Sequence, residues 1–88
     1  MATVSVSSLL STEIVPENYN RNAVVITNTD ITANLYIAFG EDATAGHAFI
    51  PPEGNLTFAG DRIAKCAING LSSLGTIDVN YSTLNAGT

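Results

Sequence analysis

The groups in this chain that could do chemistry are few: one histidine, one cysteine and eight carboxylates. A serine pair between two glycines, Gly70-Leu-Ser-Ser-Leu-Gly75, completes the inventory. His47 alone cannot build a multi-histidine metal site, and the spacing of Glu41, Asp42 and Asp61, whose oxygens could join it, matches no calcium loop. It is read as a solvated or interface side chain, with no metal and no cofactor expected. The Gly70–Gly75 run lacks the Gly-x-Ser-x-Gly spacing of a nucleophile elbow, and no helical segment follows it. No glycine-rich phosphate loop is present. Carboxylates paired for acid–base work would need a cleft, which a domain this small rarely encloses. Cys66 lies in Arg-Ile-Ala-Lys-Cys-Ala-Ile-Asn (62–69), where alternation puts Ala64, Cys66 and Ile68 on one strand face. A buried small hydrophobe is expected there, not a reactive thiol, and a lone cysteine allows no internal disulfide. No catalytic residue is assigned, and the chain is read as a non-enzyme.

Arg21 raises a different question. It sits in Val-Pro-Glu-Asn-Tyr-Asn-Arg-Asn-Ala-Val-Val-Ile-Thr-Asn-Thr-Asp (15–30), at the mouth of an apolar run that stops at Asn28. Its five donors could satisfy carbonyls of the preceding loop or pair with Glu17, four residues back. Alternatively they could reach a carboxylate on a neighbouring subunit. The structural pin is the preferred reading. The only other basic residues are Arg62 and Lys65, and the net charge is −5. Phosphate binding needs a basic footprint, so nucleic acid is not an expected partner. An anionic membrane surface is disfavoured on the same ground.

Charged residues make up 12% of the chain, about half the usual share, while the apolar fraction is an ordinary 45%. Asn, Thr, Ser and Ala take the place of the missing charge. Such a surface is cheap to desolvate, because an unpaired charge costs far more to bury than a hydroxyl or amide that finds a partner. A chain of this length, read as one domain, buries only roughly 60–65% of its unfolded surface, so partner subunits would add stability. The start, Met-Ala-Thr-Val-Ser-Val-Ser-Ser-Leu-Leu, has no basic region and no unbroken apolar core. It is not expected to be a signal peptide. No apolar run is long enough to span a bilayer.

The elements that must position these groups are strands. Period-two alternation marks 3–7, 23–27, 34–39, the short 56–58, 62–68 and 76–81. Leu35, Ile37 and Phe39 share one face, as do Ile77, Val79 and Tyr81, with Asp78 and Asn80 opposite. Asn55-Leu-Thr and Asn80-Tyr-Ser match the glycosylation pattern but read as strand residues. Turn chemistry falls at Asn28–Asp30, Gly40–Asp42 and Pro51–Gly54, the last with Pro52 at the first central position and Gly54 expected to take a positive φ. Asn69-Gly70 is read as the start of a connection, 41–47 as the longest loop and 84–88 as a tail. No segment keeps a 3.6 period, so helices should be absent or a single turn. Six to eight short strands with no long crossover predict one all-β domain over 1–88: a small antiparallel β-sandwich, jelly-roll-like. Residues 3–10 form an edge candidate and a possible interface arm, with no lysine or proline to block pairing with another chain. Phe39, Phe58 and Tyr81 fit the inward pattern, leaving Tyr19, Tyr36 and Phe49 as candidate surface aromatics. The candidate subunit or partner contacts are therefore Val4, Val6, Tyr19, Arg21, Tyr36 and Phe49.

The order of these pieces resembles a known group. It comprises Val-Pro-x-Asn-x-x-Arg (15–21), a strand ending in Thr-Asn (27–28), Leu-Tyr-Ile-Ala-Phe-Gly (35–40) and Ala-Thr (43–44). Ile-Pro-Pro-x-Gly-x-Leu-Thr-Phe (50–58) and Ile-Asn-Gly…Gly-Thr-Ile-x-Val (68–79) follow. Over residues 14–82 this layout resembles small all-β virion proteins of tailed bacteriophages; order and spacing carry the likeness together, and the first strand has no counterpart. The resemblance implies a capsid decoration (cement) protein on the outer surface of the phage head, bridging capsomers. Its implied partners are the major capsid protein and copies of itself, with a trimer favoured. A receptor- or glycan-binding module of a tail fibre or adhesin, built on Tyr19 and Tyr36 near Asn20, is the alternative. A neck or baseplate component belongs to the same class as decoration.

Overall fold

The computed structural model describes residues 2–19, 21–59 and 66–85. In these residues the alternating segments become eight strands and no helix. They are β1 (Ala2–Val6), β2 (Thr12–Val15), β3 (Arg21–Asn28), β4 (Leu35–Phe39), β5 (Phe49–Ile50), β6 (Asn55–Ala59), β7 (Ile68–Ser72) and β8 (Ile77–Asn85). One sheet has the order β1-β8-β3-β6 and the other β2-β7-β4-β5, and every pair is antiparallel. Strands 1 and 8, 2 and 7, 3 and 6, 4 and 5 are thus neighbours, the order of one long hairpin rolled into two layers. This is the jelly-roll form of the β-sandwich.

The register places four loops at one end. Val6 lies opposite Ile77, Thr27 opposite Asn55 and Asn28 opposite Val79, while Leu35 lies opposite both Ser72 and Ile50. The connections 7–11, 29–34, 51–54 and 73–76 therefore all cross between sheets at this end. The connection 16–20 leaves from the opposite end. Between the sheets, Val6, Ile14, Val15, Val24, Ile26, Leu35, Ile37, Ile50, Ile68, Ile77 and Val79 form the core, with Phe39, Phe58 and Tyr81 packed against it. Phe39 and Phe58 meet edge to face with centroids 5.1 Å apart.

Two register shifts change which residues face that core. One, between Glu13 and Val15, turns the consecutive Ile14 and Val15 both inward. The other, between Arg21 and Ala23, breaks the alternation of β3, so Arg21 points inward with Val24, Ile26 and Asn28. An extra residue on one strand inverts the facing of everything beyond it.

Several expectations need correction. Asn69 and Gly70 are the middle of β7, not the start of a connection, because Gly70 pairs with Ile37 and Thr12 in the centre of a sheet. A side chain at Gly70 would overlap Ile14 Cδ1 and lie 3.1 Å from Leu35 Cδ1. Of the strand expected at 62–68, the described part is 66–68, in which Ile68 begins β7 and Cys66 and Ala67 precede it; 62–65 lie outside the described residues. Cys66 is half-buried on that approach. Leu84 and Asn85, expected in a tail, continue β8, and 86–88 lie outside the described residues. The positive φ of the Pro51–Gly54 turn, +61°, falls on Glu53. Gly54 N–H closes the turn onto the Pro51 carbonyl at 3.0 Å, so Glu53 occupies the second central position, where a type II turn needs φ > 0. A Cβ at Gly54 would crowd Pro51, lying 3.0 Å from its Cγ and 3.1 Å from its carbonyl oxygen.

Candidate functional site

Arg21 is 1% exposed. Its Nη1 donates to the Pro16 carbonyl at 2.8 Å and its Nη2 to the Cys66 carbonyl at 2.7 Å. Burial lowers its pKa, but a guanidinium remains a cation. It joins the lead-in to β3 with the approach to β7, which is the structural pin. Glu17, offered as its ion partner, engages Tyr19, whose hydroxyl pKa is raised chiefly by that carboxylate's charge and also by the hydrogen bond to it. As contacts for a partner, Arg21 and Val6 are corrected: both side chains are turned into the interior of their own chain.

The chemistry-bearing residues are likewise absorbed by structure. His47 Nδ1 accepts the Thr44 N–H at 3.0 Å, and its Nε2 lies 3.8 Å from a Glu41 carboxylate oxygen. The loop between β4 and β5 lies over the outer face of the second sheet: Asn69 Nδ2 donates to the Glu41 carbonyl at 2.6 Å and Ala43 N–H to Ser11 Oγ at 2.9 Å. Ala38 and Ala43 are buried as a result. No cluster of three metal-ligating side chains occurs among the described residues; Asp61 is outside them. Ser72 Oγ donates to the Leu74 carbonyl and accepts the Leu74 N–H, while Ser73 Oγ accepts the Asn34 N–H at 2.8 Å. These serines build the β7–β8 turn.

What remains is surface. β1 forms one edge of the first sheet and pairs with β8 of the same chain, so residues 2–6 are not a free arm. Thr3 and Ser5 face outward and hydrogen-bond Asn80 and Asp78 at 2.7 and 3.3 Å. Val4 is partly buried against the core. In the second sheet a bulge interrupts edge β2 and edge β5 has two residues, both of which discourage pairing. Edges β1 and β6 carry no charged residue, no proline and no bulge. Tyr36 and Phe49 form a cross-strand edge-to-face pair on the outer face, centroids 6.1 Å apart. Tyr19 stands in the β2–β3 loop at the opposite end from the start of β4, so Tyr19 and Tyr36 do not gather into one platform. Asn20 is outside the described residues.

Sequence reasoning overlooked the four-loop end. Leu9, Leu10, Ile31 and Leu74 are exposed there, at 87, 74, 74 and 64%. The available signal was apolar residues inside otherwise polar loops: Ser-Ser-Leu-Leu-Ser-Thr, Thr-Asp-Ile-Thr-Ala-Asn and Ser-Ser-Leu-Gly-Thr. The loops are tied to one another. Ser72 N–H donates to the Ser7 carbonyl at 3.0 Å, Ser73 N–H to the Asn34 carbonyl at 2.9 Å and Glu53 N–H to the Asp30 carbonyl at 3.0 Å. Asn28, fully buried, donates from Nδ2 to the carbonyls of Ala33, Ile50 and Pro51 at 2.8, 3.2 and 3.2 Å. Asp30 accepts the N–H groups of Ala33 and Thr32, which hold its carboxyl below the ordinary carboxylate range.

No family model matches the chain, and neither a curated protein nor a solved structure matches it significantly.

Proposed function

We propose that this chain is a non-enzymatic assembly protein of a virus particle, a bacteriophage capsid decoration protein on the outside of the head. The observation that carries this reading is the unguarded β1 edge, presented on a surface of hydroxyls and amides that is cheap to desolvate. The jelly-roll architecture agrees with it only by analogy, since viral shells and lectins share that form. In this reading the partners are the major shell protein and further copies of the chain, the latter as a trimer.

The test is the mass in solution by light scattering behind a sizing column, followed by co-sedimentation with shells of the encoding virus. A stable trimer of 9.2 kDa chains that saturates shells is expected. A monodisperse monomer with no affinity for shells would overturn the reading. The half-exposed Tyr36–Phe49 pair favours one second reading, a glycan-binding module, since exposed aromatics can stack on sugar faces. Hits on a glycan array that disappear in Phe49→Ala would establish it; an array without hits would remove it.

A further inference from the structure

Seven large apolar side chains are exposed among the described residues, and four of them, Leu9, Leu10, Ile31 and Leu74, sit on three loops at one end of the sandwich. Exposed leucines scattered singly carry no meaning, but apolar residues gathered from distant parts of a chain onto one tip mark an interaction surface. The backbones that carry them are held in place by the bonds from Ser72 to Ser7, from Ser73 to Asn34 and from Asn28 to three carbonyls. A tip held in this way loses little further freedom on docking, which favours affinity.

Among the described residues, the charge around the tip is of one sign. Asp30, Glu53 and Asp78 border it, and the described residues place no basic side chain at this end. Arg21 is buried and His47 lies in the β4–β5 loop on the outer face of the second sheet. Arg62 and Lys65 lie outside the described residues. Two copies meeting tip to tip would set carboxylates against carboxylates, and such like-charge juxtaposition opposes association.

We propose that this four-loop end is where the chain seats on its partner, and that the partner is a protein surface with an apolar depression rimmed by lysine or arginine. The inference rests on the assembly reading above and specifies which end of the molecule makes the contact. Leu9, Leu10 and Leu74 enter the depression, while Asp30 and Glu53 meet the rim. The β1 edge is left for contacts between copies.

The test uses the whole protein, purified shells of the encoding virus as the probe, and the triple variant L9S/L10S/L74S. All three leucines are exposed, so the variant should keep the thermal midpoint and oligomeric state of the parent. Its affinity for shells should fall at least thirtyfold, and Glu53→Lys should weaken binding with a shallower salt dependence than the parent shows. If the parent binds shells and the triple variant binds equally well, the seat is wrong and the assembly reading stands. If the parent does not bind shells, the assembly reading fails and takes the seat with it. If the parent self-associates and the triple variant is a monomer, the tip is covered by a second copy and the basic-rimmed partner is overturned.

Discussion

Replacing Asn28 by alanine should cost this protein a large part of its stability. The side chain is fully buried, and its Nδ2 has two hydrogens to share among the carbonyls of Ala33, Ile50 and Pro51. Its Oδ1 accepts the Asp30 N–H at 3.1 Å. Each net hydrogen bond contributes about 1 kcal/mol, and a buried carbonyl left without a donor costs about 1–3 kcal/mol more. The loss should be about 2–4 kcal/mol, against about 4–13 kcal/mol in total for a chain of this length. The thermal midpoint should fall by about 8–32 °C, given about 4–8 °C per kcal/mol for domains of this size. Urea titration should show a lower midpoint at constant slope, and hydrogen exchange should accelerate at the Asp30, Glu53 and Gly54 amides. Asn28→Asp is a sharper probe, because it keeps the Oδ1 acceptor and turns the donor into an acceptor facing three carbonyls. Burial would raise the new carboxyl's folded pKa above its unfolded value of about 3.9. The pH-dependent part of its penalty should then be absent below that value and grow as pH rises from there to the folded pKa. A loss under about 0.5 kcal/mol for Asn28→Ala would refute the claim that this amide holds the loops together.

Other perturbations test other joints. Gly70→Ala drives a methyl into Ile14 Cδ1 and should cost about 1–3 kcal/mol. Adding Ile14→Val, which removes that atom, should recover part of the loss in a double-mutant denaturation cycle. Arg21→Met fills similar volume but strips the Pro16 and Cys66 carbonyls of their donors, so unfolding titrations should show a loss of about 2–4 kcal/mol. Unchanged stability there would mean the arginine serves a partner and not the fold. The depressed Asp30 pKa implies stability that is present above the ordinary value of 3.8 and lost as pH falls through the folded pKa. Asp30→Asn should flatten the acid limb of a stability-versus-pH curve.

Much of the architecture follows from local pattern. Alternation in 3–7, 23–27, 34–39 and 76–81 forces strands, because only a period of two puts Ile77, Val79 and Tyr81 on one side and Asp78 and Asn80 on the other. Turn residues at 28–30, 40–42 and 51–54 cut those strands short, and without long crossovers the sheets have to be antiparallel. Scarcity of charge was likewise plain in the composition.

Tertiary structure decided the rest, wherever the cause lies far along the chain. Parity alone puts Arg21 on the outward face with Ala23 and Val25; the bulge against β8 turns it inward, and that pairing joins residues more than fifty positions apart. Gly70 reads locally as a turn, yet it is needed mid-strand because Ile14 and Leu35 occupy the space its side chain would take. Phe49–Ile50 is too short to show a period and exists as a strand only because β4 templates it. The apolar tip is the clearest case. Leu9, Ile31 and Leu74 each look like a stray hydrophobe in a polar loop, and only the rolled hairpin, by bringing the crossing loops to one end, makes them a surface.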